Sequence, residues 1–332
     1  MDWTADKLTA LATGYWQSAA LIGAVEIGVF DHLDEPRTAP EIAERCKVKV
    51  ELLVSLLDAL ASMDLLAKYE DRYRIAPGAR PLLSRESGMC MTDALRYNGD
   101  LYRQWGKLAE VLRTGTPAVP QQQQLGLDPA MTRRFVYGME SKARAFVPAV
   151  APMIRLDTDR TLLDVGSGPG TLTRTLLEMH PDLHATLLDL PDVLAVARDI
   201  CTHSPASNRL SFHSANYRSD PLPKPFDAIV YAGALHQETL ETAQYLAGRF
   251  YESLAPGGRV FVVDLMLDDD RTSPTFSALF QITMMLMRPA ARVFSRAEIT
   301  GVLAKAGFTS IVSQEPSSSP YRLVTARKSE TE

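Results

Sequence analysis

The chain has 332 residues, which at roughly 100–200 residues per domain predicts about two domains. Lys and Arg number 35 against 40 Asp and Glu, a formal charge of −5, with 46% hydrophobic and 23% charged residues. That balance excludes a disordered chain, which is poor in apolar residues, and disfavours a general nucleic-acid binder, which carries a basic excess. The three cysteines, Cys46, Cys90 and Cys201, are far apart and odd in number, so neither a disulfide framework nor a CxxC metal pattern is expected. Free buried thiols in a reducing, cytoplasmic setting are the expectation.

Residues 8–25 carry no formal charge, close to the length of a short membrane span. Thr9, Thr13, Gly14, Gln17, Ser18 and Gly23 interrupt the run, and Asp2 and Asp6 precede it where a signal peptide has basic residues. A buried helix in a subunit or domain interface fits better, with no membrane role. Next, Pro40 in a first-turn position predicts a short helix over 39–47, and a second follows over about 50–63. Its Leu52, Leu53, Leu56, Leu57 and Leu60 recur at helical spacing. Alternating segments at 65–69 and 73–76, joined by Glu70, Asp71 and Arg72, read as a hairpin.

Helix, turn, helix, hairpin is the pattern of a winged helix. Reading of DNA by the second helix is disfavoured, because its polar positions are Glu51, Ser55 and Asp58, with no Arg or Lys to meet phosphate. A scaffold or dimerisation module is expected instead. Residues 89–152 are again helical in pattern, interrupted at 116–129 by a loop rich in Pro, Gly and Gln. A helical run over 131–153 leads into the next domain.

That domain opens with a short apolar strand at 161–165, then Gly166-Ser167-Gly168-Pro169-Gly170, then a helix over 171–179. Strand, glycine-rich turn, helix brings backbone N–H groups against a ligand at a helix N-terminus. Dinucleotide sites want G-x-G-x-x-G, whereas here the third glycine comes one residue earlier and Thr171 follows it. A second strand, 184–188, runs into Asp189, an acid able to accept both hydroxyls of a ribose.

These residues carry a resemblance. LLDVGSGPG resembles the first motif of class I S-adenosylmethionine-dependent methyltransferases, and LLDLPDVLAVA their second strand with its ribose-binding acid. LAPGGRVFVVD is similar to the turn into their fifth strand, and the likeness extends to AEITGVLAKAGF. The whole chain resembles the small-molecule O-methyltransferases typified by plant caffeate enzymes and bacterial antibiotic-tailoring enzymes. The resemblance implies an α/β, Rossmann-like, seven-stranded methyltransferase domain over 153–332. Before it would come a mostly α-helical winged-helix dimerisation domain over 1–98 and linker helices over 99–152 that contribute to the substrate pocket.

The resemblance also implies roles. Gly166, Ser167, Gly168 and Gly170 would line S-adenosyl-L-methionine, with Asp164 near its amino group, Asp189 on the ribose, Leu190 beside the adenine, and Ala232 and Tyr217 nearby. The acidic adenine contact of the family falls at Asn216, whose side-chain carbonyl can still accept a hydrogen bond. Phe135 and Met139 stand at the spacing of a motif that borders substrate and methyl group. The uncharged run 272–287 reads as a lid helix, with Met284 a substrate contact. Arg288, at a position of polar substrate contacts, would bind a substrate carboxylate bidentately.

A neutral oxygen nucleophile must lose its proton, whereas a thiolate or amine relies more on alignment and desolvation. The base is expected after the strand at 226–231, at the carboxyl edge of the sheet. His236 stands there, with Glu238 expected to start the next helix, and a histidine's ordinary pKa of about 6.5 suits proton uptake near neutrality. The resemblance implies His236 as general base, with Asp264 orienting it. Two positions depart from the family: Gln237 replaces an acid after the histidine, and Val293 aligns with a second orienting acid. His236 should therefore be a weaker base than the family standard, suited to an acidic hydroxyl or a thiol. The remaining histidines have no partners at ligand spacing, so no metal is expected. Methylation of oxygen on a small molecule is the leading expectation, in a homodimer joined through the N-terminal domain. Methylation of sulfur or nitrogen, or a non-methylating cofactor-binding homologue, stay open.

Overall fold

The structure is a computed structural model that describes residues 2–118, 128–288, 290–317 and 319–330. The chain divides into two compact units, Met1–Arg103 and Gln104–Glu332.

The first unit begins with α1 (Ala5–Thr13), capped by the Thr4 side chain, and α2 (Tyr15–Glu26), which follow one another with a break at Gly14. This corrects the expectation of a single helix over 8–25. No residue of α1 is buried, α2 buries only Ala24 and Val25, and Trp3, Leu8, Leu11, Tyr15 and Trp16 are each at least 56% exposed. The unit's own core takes up only the end of α2, where Ala24 and Val25 join Phe30 and Leu57.

β1 (Arg37–Thr38) leads into α3 (Ala39–Cys46), which opens with a capping box between Thr38 and Glu41. α4 (Val50–Ser62) buries Leu53, Leu57 and Leu60 against Phe30, Ile42 and Ile75. Leu52 points outward at 72% exposure, so it does not belong to the core face its spacing predicted. β2 (Leu66–Tyr69) and β3 (Arg72–Ile75) form the expected hairpin, and β1 adds a third strand to it. Two residues are too few for β1 to show any periodicity. Asp58 on α4 is tied to Lys68 and Tyr73 of the hairpin, so a helix without cations also spends a carboxylate inside its own module. α5 (Arg80–Leu83) and α6 (Thr92–Trp105) follow.

The second unit continues with α7 (Leu108–Thr114) and α8 (Pro129–Val150). Of the loop expected at 116–129, residues 119–127 lie outside the described residues. Asp128 caps α8, accepting from the amides of Ala130 and Met131, and Pro129 fills its first position. Then come β4 (Thr161–Val165), α9 (Thr171–Met179), β5 (His184–Asp189), α10 (Pro191–Cys201), β6 (Leu210–Ser214), β7 (Phe226–Ala232), α11 (Leu240–Ser253) and β8 (Leu254–Leu265). α12 (Thr275–Met287), α13 (Arg296–Lys305), β9 (Thr309–Gln314) and β10 (Tyr321–Arg327) complete it.

These strands form one seven-stranded sheet in the order β6-β5-β4-β7-β8-β10-β9, parallel except for β10, which runs against both its neighbours. Strand residues alternate between faces. Leu162, Val230 and Val263 meet Val147 and Val150 of α8 and Leu172 and Leu176 of α9. Leu163, Ile229 and Val262 meet Leu246 and Phe250 of α11 and Ile299 of α13. With both faces covered, the polar work of the sheet is left to the carboxyl ends of its parallel strands.

Candidate active site

The turn after β4 is shaped by glycine. Gly166, Gly168 and Gly170 all have φ between 53° and 72°, the left-handed region that side chains avoid. A Cβ on Gly170 would lie 2.6 Å from Leu187 Cδ1, so close packing on β5 forbids one there as well. Asp189 at the end of β5 is buried; its Oδ2 accepts from Gly168 N at 2.8 Å and its Oδ1 from Leu190 N at 2.7 Å. Burial nevertheless lifts its carboxyl to about 6. Asp164 on β4 is also buried, takes a hydrogen bond from the Thr173 hydroxyl at 2.6 Å, and is raised to about 7, mainly by burial, with Asp189 adding repulsion. The Ser167 hydroxyl is buried without a hydrogen-bond partner among the described residues. Two raised carboxyls, an orphaned hydroxyl and a turn that excludes side chains fit a ligand carrying hydroxyls and a positive charge.

Tyr217 packs beside this turn, where a Cβ on Gly166 would meet its ring at 3.3 Å. Asn216 is exposed, and its Oδ1 accepts from Arg218 N at 3.1 Å, which leaves one carbonyl lone pair. Leu190 caps α10 and is half-buried, as are Ala232 at the end of β7 and Met139. Phe135 packs with Leu190, Val193 and Val196.

His236 lies in a short turn after β7, is 8% exposed, and faces Asp264 near the end of β8. Its Nδ1 is 2.7 Å from Asp264 Oδ1, and its backbone N donates to Asp264 Oδ2 at 3.1 Å. Leu265 N donates to Oδ1 at 2.7 Å. An ionised carboxylate only accepts, so this contact puts the histidine proton on Nδ1 and the lone pair on Nε2. Phe280 of α12 meets the imidazole edge-on at 4.9 Å between ring centres. Val293 is fully buried with Leu267, Met284 and Ala291, so the position of a second acid is part of an apolar cluster under α12. Met284 sits in that same cluster at 8% exposure.

Glu238 does not start the following helix, which corrects that expectation: Thr239 is the N-cap and α11 begins at Leu240. Glu238 instead turns inward at 3% exposure, accepts from Tyr217 Oη at 2.9 Å, and receives Arg218 through Nε and Nη2 at 2.6–3.0 Å. Arg288 ends α12 half-buried, and its guanidinium makes no hydrogen bond or ion pair with another described residue. Burial and the nearby Arg218 both lower its proton affinity, against the pull of Glu238.

Sequence reasoning missed the Glu238–Arg218–Tyr217 group and a second buried acid, Glu140 of α8. Glu140 accepts from the Thr171 hydroxyl and from Arg174 Nη2 at 2.7 and 2.8 Å, fastening α8 to the first turn of α9. Both depend on pairings far apart in the chain. The available signal was an acid within an otherwise helical or apolar stretch.

The chain matches the O-methyltransferase domain family over residues 105–309 and the O-methyltransferase dimerisation domain family over residues 9–85. It is 32% identical over 307 residues to the tetracenomycin polyketide synthesis 8-O-methyltransferase TcmO of Streptomyces glaucescens, covering 91% of this chain and 90% of that protein. It is 29% identical over 316 residues to the N,N-dimethyltransferase OxyT of Streptomyces rimosus, covering 92% and 90%. Human N-acetylserotonin methyltransferase, solved in complex with S-adenosylmethionine, superimposes with a TM-score of 0.88 at 24% identity, covering 99% of each chain. The chain belongs to the O-methyltransferase family, with that family's dimerisation domain at its N-terminus. It is an S-adenosylmethionine-dependent methyltransferase of small molecules. Among the described residues no helix is long and apolar enough to cross a membrane.

Proposed function

We infer that the protein methylates a hydroxyl oxygen of a small molecule bearing a carboxylate, with His236 as general base and Asp264 as its orienting acid. The observation that carries this reading is the 2.7 Å contact of His236 Nδ1 with buried Asp264, which leaves Nε2 as the acceptor. When bound, S-adenosylmethionine supplies a methyl group on a cationic sulfonium. The glycine turn lets backbone amides approach it. Asp189, with two of about four acceptor sites used, accepts from the ribose hydroxyls. Asp164 faces the amino group, and Ser167 donates its unspent hydroxyl proton. Asn216, Leu190 and Tyr217 flank the adenine, and Phe135 and Met139 border the acceptor.

His236 takes the acceptor's proton on Nε2 as the methyl group is received, and Asp264 holds the resulting imidazolium. Phe280, Met284 and the rest of the lid run exclude water from that step. Arg288 offers a half-buried guanidinium to a substrate carboxylate, and no other described residue hydrogen-bonds or ion-pairs with it. The helices between the two domains wall the pocket, and the N-terminal domain joins two copies in a cytoplasmic homodimer.

The test is formation of S-adenosylhomocysteine with a panel of hydroxylated aromatic acids and their neutral analogues. Product with the acids and little with the analogues supports the reading; product unchanged in a His236→Gln enzyme would sink the base. A second reading is favoured by one feature, the apolar surroundings of Val293. A base with a single carboxylate partner is tolerable where the acceptor is an amine, whose lone pair needs no deprotonation once neutral. An amine panel in the same assay separates the two.

A further inference from the structure

α8 carries a charged group that the mechanism above does not use. The second half of the helix packs Ala143, Val147 and Val150 on the sheet beside Leu162, Val230 and Val263. Phe146 stacks on Tyr321 with ring centres 4.0 Å apart. Tyr321 is the first residue of β10 and pairs with Leu265 of β8, the neighbour of Asp264. Phe146 therefore marks the level of the carboxyl edge, and residues earlier on the same helical face stand above that edge. Lys142 is one turn earlier, and Met139 and Phe135 continue the stripe at helical spacing. Glu140, bound to Thr171 and Arg174, fixes this turn of α8 against the helix that opens from the glycine turn. Helical spacing thus puts Lys142 on the same face of α8 as Phe135, Met139 and Phe146, at the carboxyl edge of the sheet. Consistent with that setting, burial depresses its pKa from the ordinary 10.5 to about 8.

We propose that Lys142 is a substrate-binding residue of the methyl-transfer site, donating from its ammonium to the acceptor oxygen of an acidic hydroxyl, a phenol or enol. This deepens and rests on the oxygen-methylation reading. The O–H bond breaks with its proton passing to His236 Nε2. The oxygen electron pair forms the new O–C bond, and the C–S bond breaks with its electrons left on sulfur, giving S-adenosylhomocysteine. Lys142 stays protonated throughout and stabilises the oxygen while it carries negative charge. Its contribution matches the one weakness of the base: with Val293 in place of a second acid, His236 removes a proton more readily from a hydroxyl that a cation has already made acidic. The charged and titratable groups on the elements packed against α8 are Arg174 and Glu178 of α9, Asp192, Arg198, Asp199 and Cys201 of α10, and Tyr321, Arg322 and Arg327 of β10. Arg174 is paired with Glu140, Asp199 lies 3.6 Å from Arg133, and burial raises the Tyr321 phenol.

The probe is 4-nitrocatechol, whose phenolate absorbs visible light, titrated by pH on the full-length protein saturated with S-adenosylhomocysteine. The wild type should lower the pKa of the bound phenol by about one unit relative to solution. Lys142→Met should return it to the solution value and weaken binding about tenfold at pH 7, with Lys142→Arg restoring most of both. His236→Gln should keep the shift while losing turnover, which separates this proposal from the base assignment. The acceptor panel, read by S-adenosylhomocysteine formation, tests the function itself. A purely structural role would alter thermal stability and leave the bound phenol's pKa in place. Equal titration and affinity in wild type and Lys142→Met, or no affinity of the wild type for the phenolate at pH 7, overturns the proposal.

Discussion

At the scale of single residues, the His236–Asp264 pair is where geometry makes the most definite demand. Asp264→Asn keeps the shape but replaces an acceptor-only carboxylate with an amide that can present a donor, so the Nδ1 proton is no longer specified. We expect kcat to fall by about 10²–10⁴-fold, the usual worth of general-base catalysis, with cofactor affinity by calorimetry unchanged. Arg288→Ala should raise KM for an anionic acceptor far more than for the cofactor; equal effects on both would remove the carboxylate from the reading. Asp164 gives a pH prediction. Its carboxyl sits at about 7 when folded against 3.8 ordinarily, chiefly through burial. Between those values the folded chain keeps a proton that the unfolded chain has lost, so stability falls as pH rises through about 4–7 and then levels. Each pKa unit is worth about 1.4 kcal/mol. The ammonium group of S-adenosylhomocysteine offsets this, so its affinity should climb across the same window. Asp164→Asn should reduce both trends in thermal unfolding from pH 5 to 8, leaving the contribution of Asp189, whose carboxyl is raised to about 6.

The same residues show what one chain can disclose. Gly166, Gly168, Gly170 and Asp189 follow strands within a few residues, so a glycine turn beside a strand-end acid could be read locally, and Asp189 does accept from Gly168 and Leu190. Arg218 with Glu238 and Arg174 with Glu140 are separated by 20 and 34 positions, and no local pattern links them. Lys142 was hidden for a different reason: lysine on a helix normally faces water, and only the stacking of Phe146 on Tyr321 shows which way its face turns.

At the scale of elements, β4 and α9 occupy the residues expected of them because an apolar run, a glycine turn and a helical stripe are each locally encoded. The reversal of β10 between β8 and β9 is not, since an apolar strand reads alike in either direction. Nor does composition say that α12 covers an imidazole rather than a core, although its Phe276 and Leu279 are 57% and 50% exposed while Met284 and Leu286 are buried. The tightest junction between elements is that of the glycine turn with β5. Gly170→Ala meets both a φ of 72° and the 2.6 Å approach of Leu187. A cost of about 1–3 kcal/mol follows from strain and overpacking together. The melting temperature should drop and cofactor affinity should drop with it, whereas Gly168→Ala, with open space at its Cβ, should lose less stability. Equal losses would mean that the left-handed backbone alone, and not the packing on β5, governs the turn.

At the scale of the molecule, the first two helices leave an imbalance that the chain does not resolve by itself. Trp3, Leu8, Leu11, Tyr15 and Trp16 are 56–66% exposed, and α1 buries nothing. Water contact on that many large side chains is unfavourable at about 25 cal/mol per Å² of apolar surface, and exposed apolar side chains in this number point to an interface. Residues 9–85 match a dimerisation domain family, and we propose a second copy of the chain as the partner. Two copies pairing through these helices would be related by a twofold axis, each presenting the same patch to the other. Sedimentation of the wild type should then give about twice the 36.6 kDa chain mass. Leu11→Glu combined with Trp16→Glu places like charges across the axis and should yield a monomer with a lower melting temperature. Because the glycine turn, Asp189 and the His236–Asp264 pair all lie in Gln104–Glu332, the monomer should still bind S-adenosylhomocysteine. A wild type that sediments as a single chain at micromolar concentration would leave those side chains without the partner argued here.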